Sequence, residues 1–465
     1  MSDSGSITLI ASIILSVFIG WNILYLLLQD KGSLAFQERL AISYGLGVGA
    51  LSLEMLIISL AGLKFRQSLI IIPWVALFIA NAAVYFMKRP ERQQKPSYAD
   101  PVGKKKAHRN LAAFLSGAVI LEIFYAFFKA LIKPMESYDA VAIYAIKSKI
   151  FYLARSIPSE YFSVLAGIFP HSDYPLNIPL FQTFLYMAMG NFNDQLVKLV
   201  FPLYFVAVLV MLYFAVKRIG GSLYALLFTF VLATIAQFNA YAANGYIDLP
   251  LSFYCFTSLL LLLEYFGDTK KAYCAVLSAI MTGLAAWTKN EGMLYCVINI
   301  SLFLIFLAMN RKKIALREIG GLFVYAGIIF IIYSPWLWAK AVYGLSNADV
   351  GSMDIASVNM AKQSYKTLPI LYEFQRQFFG PKKWNLIWIV AMLAIYFNPK
   401  KLFSKNLQYL TFYIFMAFCG YMFIYLVSDV EILFFLKTTW SRFPIHFMPA
   451  LVYWLALMLK EDIKL

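Results

Sequence analysis

Apolar runs of about 20 residues recur along the chain, and this recurrence constrains the fold more tightly than any motif in it. A helix needs roughly 20 apolar residues to cross about 30 Å of hydrocarbon. Thirteen segments come near that measure: 7–28, 40–63, 68–87, 111–132, 197–216, 222–238, 249–266, 272–288, 292–309, 319–336, 385–397, 407–426 and 443–459. The expected fold is all-α, a polytopic transmembrane bundle of about 13 helices with outward-facing juxtamembrane helices. Composition agrees, since 62% of the 465 residues are hydrophobic and 14% charged, against about 45–50% and about 25% in soluble domains. So little polar surface excludes a soluble enzyme, a disordered chain and a disulfide scaffold. Cys255, Cys274, Cys296 and Cys419 lie in apolar stretches and read as buried small hydrophobes.

Forty Lys and Arg outnumber 24 Asp and Glu, but the bases cluster between spans. The bias of cytoplasmic loops toward Lys and Arg accounts for this without a nucleic-acid partner. The run Lys88, Arg89, Arg92, Lys95, Lys104, Lys105, Lys106 and Arg109 is the strongest cytoplasmic mark. Lys217-Arg218, Lys270-Lys271, Arg311-Lys312-Lys313 and Lys400-Lys401 fall on the same side, because an even number of spans separates neighbouring basic loops. The apolar stretch 169–190 is interrupted by His171, Asp173, Pro175 and Pro179, and counting it as a span would reverse every later loop. It reads as a juxtamembrane or re-entrant helix, tolerated where protein or a water-filled cavity covers it. The first apolar run reads as a retained helix, since no basic segment precedes it.

With this topology the outer loops hold Glu136, Asp139, His171, Asp173, Asp248, Glu291, Asp429 and Glu431. Ionisable groups beside a bilayer are costly and mark functional sites. Five groups stand out. Tyr138-Asp139 directly follows a span, where Asp139 would also serve as an ordinary helix cap. His171-Ser-Asp173-Tyr174-Pro175 joins an imidazole and a carboxylate at a span boundary, or is a plain polar turn. Tyr246-Ile-Asp248-Leu-Pro250 places a carboxylate at a helix entry, again a common cap. Lys289-Asn-Glu291 interrupts two apolar helices with opposite charges. Trp440-Ser-Arg442-Phe-Pro444-Ile-His446 puts an arginine at the outer end of the last span, where a snorkelling side chain is the simpler account.

Taken together, these motifs make the chain resemble GT-C superfamily glycosyltransferases, the group that includes protein O-mannosyltransferases and the lipid A aminoarabinose transferase. The resemblance runs from about Leu111 onward. It rests on Tyr138-Asp139-Ala140, His171-Ser-Asp173-Tyr174-Pro175-Leu176, Gly245-Tyr246-Ile247-Asp248-Leu249-Pro250, the Gly283-to-Lys289 helix end, and Arg442-Phe-Pro444. It implies an organisation into an N-terminal transmembrane extension with a basic cytoplasmic loop (1–110), a catalytic transmembrane module (111–336), an outer-face loop (337–384) and C-terminal helices (385–465).

The resemblance also implies a chemistry: transfer of a sugar, with inversion, from a polyprenyl-phosphate donor to a lipid, glycan or protein acceptor on the periplasmic face of the inner membrane. Asp139 is then the catalytic base and Asp248 a second, positioning carboxylate. Lys289, Arg442 and His171 would contact the donor phosphate, and Tyr138, Asp173, Tyr174, Tyr246, Glu291 and Trp440 would line the substrate site. No cofactor is required. A divalent metal is admitted by the family but weakened here, because neither acidic motif is an Asp-X-Asp or Asp-Glu pair. A transporter or flippase would show internal repeats and charges at the bilayer midplane. A polymerase or ligase of lipid-linked saccharides would favour Arg and His in its outer loops over carboxylates.

Overall fold

The computed structural model describes residues 3–28, 34–88, 106–163, 171–310, 316–345, 364–404, 407–428 and 430–463. Most of the first basic run, all of Arg311-Lys312-Lys313, part of the 337–384 loop, and Asp429 lie outside these residues. Among the described residues the chain is helical, with no strand. Nine helices are long and apolar enough to cross a membrane, against about thirteen expected. The difference lies in three shorter apolar helices, Ala272–Thr288, Ile387–Phe397 and Phe443–Met458, and in one 40-residue run, Asp194–Ala233, counted once.

Helices α1 (Asp3–Leu28) and α2 (Phe36–Leu60) pack backbone to backbone. A Cβ on Gly20 would lie 1.8 Å from the Ser43 carbonyl oxygen, and one on Gly47 1.7 Å from that of Ser16. Small residues permit this approach where lipid supplies no hydrophobic drive between helices. Next come α3 (Gln67–Lys88) and α4 (Lys106–Ile132), whose apolar side chains point outward, as Phe86, Phe114 and Phe124 do. A π-helical turn (Ala140–Ala145) leads into α5 (Ile146–Ala154), followed by short α6 (Ser159–Ser163) and α7 (Asn177–Met189). Helix α7 has 13 residues, too few to span, and all but one are buried against its neighbours. The parity problem in the sequence thus has a physical answer: Pro-bounded apolar chain covered by protein.

After α8 (Asp194–Val197), α9 (Val200–Ala233) bends at Gly221, whose φ of 82° and ψ of 179° no helical residue adopts. Both ends of α9 return to α4. Lys198 Nζ donates to the carbonyls of Lys133 and Pro134 at 2.8 and 3.2 Å, and the Asn239 amide donates to Glu122 at 2.9 Å. Between them, Arg218 reaches the far end and forks onto the buried Glu38 carboxylate at 2.8 and 2.9 Å. Short α10 (Ala236–Tyr241) then leads to α11 (Asp248–Gly267), α12 (Ala272–Thr288), α13 (Gly292–Met309) and α14 (Leu316–Tyr343). Asn299 knots these helices by donating to Ser258 and Thr282 at 3.1 and 2.8 Å, while the Tyr325 hydroxyl lies 3.0 Å from both Ser278 and Thr282. The remaining helices are α15 (Thr367–Phe379), α16 (Pro381–Trp384), α17 (Ile387–Phe397), α18 (Gln408–Val427), α19 (Ile432–Thr439) and α20 (Phe443–Met458).

Helix α11 is the ruler of the molecule. It starts at Asp248 and ends beside Glu264, which pairs with Lys271. Its 20 residues rise about 1.5 Å each, or about 30 Å in all. Glu264, Arg218, Glu38 and Asn310 line one cavity of about 310 Å³ at the far end. Asp248 marks the other end.

Candidate active site

Four chain segments meet where α11 begins. Asp139 immediately precedes the π-helical turn, Asp248 opens α11, Lys289 and Glu291 occupy the tight turn from α12 to α13, and Arg442 precedes α20. The α12–α13 turn is tight because Gly292 lets α13 start against α12: a Cβ there would sit 2.1 Å from the Ala285 carbonyl oxygen. Lys289 leaves the helix in extended conformation (φ −157°, ψ 150°), which turns its side chain back toward α11. The buried knot of Ser52, Asn177, Thr288 and Trp287, with links of 2.7 to 2.8 Å, holds this turn against α2 and α7.

The Arg442 guanidinium bridges both aspartates, donating to Asp139 Oδ2 through one nitrogen and to Asp248 Oδ2 at 3.2 Å through the other. Its plane lies over the Tyr246 ring, 4.6 Å from the centroid. Lys289 Nζ donates to Asp248 Oδ1 at 2.9 Å and pairs with Glu291 at 2.6 Å. The Asp248 side chain is fully buried, whereas that of Asp139 is 17% exposed. Burial alone would lower the Lys289 pKa, but the Asp248 and Glu291 carboxylates hold it above the usual range. Burial likewise pushes Glu291 up, and Lys289 outweighs it, leaving Glu291 below its usual value. So many buried charges are costly to fold. Their concentration in one place is the physical signature of a working site.

The structure brings Asp139, Asp248, Lys289, Glu291, Arg442 and Tyr246 together. His171, Asp173 and Tyr174 form an adjoining group. Asn290, between Lys289 and Glu291, donates to Asp173 Oδ2 at 2.9 Å. The Tyr174 ring packs 4.5 Å from His171, and Lys147 Nζ donates to the His171 carbonyl at 2.5 Å. Tyr138 is 69% exposed at the surface. The Trp440 ring is buried in an aromatic cluster with Phe374 and Tyr425.

Two residues given no role from the sequence join the site. His446 Nε2 lies 2.9 Å from Asp248 Oδ1, at the same time as Nδ1 lies 2.6 Å from the Tyr421 hydroxyl. Its spacing of four from Arg442 was the available signal, since i and i+4 share a helix face. Tyr144 is fully buried beside the same charges, with Arg442, Asp248, Asp139 and Glu291 all acting on its phenol. Here the signal was hidden. Residues five apart align in a π-helix and diverge in an α-helix, so a period of 3.6 separates Asp139 from Tyr144.

Residues 173–338, about a third of the chain, match the family model described as dolichyl-phosphate-mannose-protein mannosyltransferase. No curated protein matches. Among solved structures, the oligosaccharyltransferase of Archaeoglobus fulgidus in the apo form aligns with 10% identity and a TM-score of 0.44, covering 74% of this chain and 50% of that one. The same archaeal enzyme in complex with an inhibitory peptide and a dolichol-phosphate gives 10% identity and 0.43, with the same coverage. Its complex with zinc and sulfate gives 11% and 0.42, covering 74% and 48%. The chain thus spans about half the length of the solved structures it matches.

Asp248 has both oxygens committed to protein donors, Asp139 is paired with Arg442 and Glu291 with Lys289. Among the described residues no group of three or more His, Cys, Asp or Glu side chains converges as metal ligands. The family match is carried by the segment that supplies Asp248, Lys289 and Glu291.

Proposed function

We propose that the protein transfers a sugar from a polyprenyl-phosphate donor to an acceptor hydroxyl on a lipid, glycan or protein at the extracytoplasmic face of the inner membrane. The observation that carries this reading is the single guanidinium of Arg442 shared by Asp139 and Asp248 at the membrane end opposite the basic loops. Such loops favour the cytoplasm, which supports an outward-facing site. A lipid donor has its phosphate at that level and its tail in hydrocarbon.

In the transfer, the acceptor oxygen attacks the anomeric carbon as the bond from that carbon to the phosphate oxygen breaks. The acceptor proton passes to Asp139, the more exposed of the two aspartates, and polyprenyl phosphate leaves as the anion. Attack from the face opposite the phosphate inverts the anomeric centre. Arg442 and Lys289 are fixed cations that stabilise charge developing on the leaving phosphate. The incoming phosphate competes with Asp139 for Arg442. A carboxylate released from its cation becomes a stronger base, so donor binding itself prepares the base. In this reading His171 contacts the donor phosphate, and Asp173 and Tyr174 line the substrate site.

The cluster of Asp139, Asp248, Lys289 and Arg442 lies where α11 begins and not midway along it, which favours an enzyme over a transporter. Incubation of the purified protein with a panel of polyprenyl-phosphate sugars should release polyprenyl phosphate. Movement of intact lipid-linked saccharide across vesicles, with no cleavage, would overturn the proposal in favour of a flippase.

A further inference from the structure

Asp248 accepts from three directions. Lys289 and His446 both lie 2.9 Å from Oδ1, and Arg442 lies 3.2 Å from Oδ2. A carboxylate facing His446 Nε2 requires the proton on that nitrogen, because two acceptors cannot share a bond. Nδ1 then carries a lone pair and needs a donor. Tyr421, on α18, has its hydroxyl 2.6 Å from Nδ1 and 3.3 Å from the Tyr295 hydroxyl on α13; its single proton serves one acceptor, and the shorter contact gives it to Nδ1, leaving Tyr295 to donate to Tyr421. All three rings are buried. The groups around the imidazole are therefore Asp248 from α11, Lys289 and Glu291 from the α12–α13 turn, Tyr421 from α18, and Phe443 on α20 itself, with ring centroids 6.3 Å apart.

We propose that His446 is a positioning residue for the transfer reaction, held by Tyr421 in the Nε2–H tautomer so that Asp248 is fixed with Oδ2 aiming Arg442 at the donor phosphate. This rests on the glycosyl-transfer reading above. Asp248, fully buried and accepting from three protein donors, is a clamp, and the proton goes to Asp139. His446 neither gains nor loses a proton during turnover. Groups that orient metal ligands from behind typically matter about 10–100-fold, and an effect of that order is expected for a carboxylate oriented in the same way.

Polar contacts between membrane helices also arise as simple packing, so the experiment must separate the two. In the full-length protein in detergent, His446→Leu, His446→Gln and Tyr421→Phe are compared by polyprenyl-phosphate release, by melting temperature, and by 15N NMR of labelled histidine. His446→Leu should lower kcat about 10–100-fold with little change in donor KM. His446→Gln, whose amide N–H can reach Asp248, should recover much of that loss at the same melting temperature. The wild-type spectrum should show the Nε2–H tautomer, and Tyr421→Phe should shift it toward a mixture. Unchanged kcat in folded His446→Leu, equal loss in the Gln and Leu variants, or an Nδ1–H tautomer in the wild type would each overturn the proposal. If the wild type cleaves no donor, the transfer reading falls and takes the positioning role with it; a persisting Nε2–H signature would identify that failure as one of function and not of geometry.

Discussion

Arg442 and Asp248 stand 194 residues apart in sequence and 3.2 Å apart in space, and the same guanidinium also holds Asp139. Arg442 therefore has two competing duties. At rest it neutralises carboxylates that burial would otherwise make very costly. In the proposed transfer the donor phosphate takes over part of its hydrogen bonding.

Asp139→Asn keeps the shape of the side chain and removes its capacity to take a proton. Turnover should fall at least about 100-fold, the lower range of general base catalysis. Release of polyprenyl phosphate measures it, and an unchanged melting temperature certifies the fold. Transfer at the wild-type rate by this variant would remove the base assignment.

Arg442→Lys should fail nearly as badly as Arg442→Ala. An ammonium is a point charge and cannot fork onto two carboxylates as a planar guanidinium does. Donor kinetics should therefore show kcat depressed in both variants, with Lys recovering part of the melting temperature and little of the rate. Recovery of the rate by Lys would show that charge alone suffices.

Gly292→Ala would place a methyl 2.1 Å from the Ala285 carbonyl oxygen. The backbones of α12 and α13 must then separate, carrying Lys289 and Glu291 with them. A lower melting temperature together with loss of transfer is expected. Wild-type values for both would mean that the turn can shift without disturbing the site.

Lys147 offers a prediction about pH. Burial pulls its pKa from 10.5 down to about 7, with nearby Asp173 offsetting only part of the effect. Between about pH 7 and pH 10.5 the unfolded chain keeps a proton that the folded protein has lost. Stability therefore rises with pH across that window and is independent of this group below it. Melting curves over the range should show a slope in the wild type that Lys147→Met lacks. Parallel curves would mean that Lys147 stays charged when folded.

Much of the site was legible in the sequence because charge is expensive beside a bilayer. Asp139, Asp248, Lys289, Glu291 and Arg442 each interrupt or border an apolar run, and chains this apolar carry such residues at a cost. Grouping them was a matter of topology: an even number of spans between the basic loops puts all five at the opposite face. His446 was overlooked because it lies inside an apolar run, where a lone histidine reads as core. Tyr144 was overlooked because the backbone between it and Asp139 winds with a period that no apolar pattern reports. The kink at Gly221 was readable only in part. A basic pair beside two glycines suggested a loop, whereas the structure carries helix on both sides of one residue with positive φ.

Hydropathy and the distribution of charge, both properties of the chain itself, determined that this protein is a helical membrane bundle and singled out the charged residues that border its apolar runs. Neither property carries distances. Which carboxylate is fully buried and which remains partly exposed, that one arginine serves both, and that a histidine and a tyrosine stand behind Asp248 were decided only when α11, α18, α20 and the α12–α13 turn packed together. The reason is physical. Spans form because each buries its own backbone hydrogen bonds, a local matter, whereas the partners of a buried charge come from whichever helices close packing brings within about 3 Å.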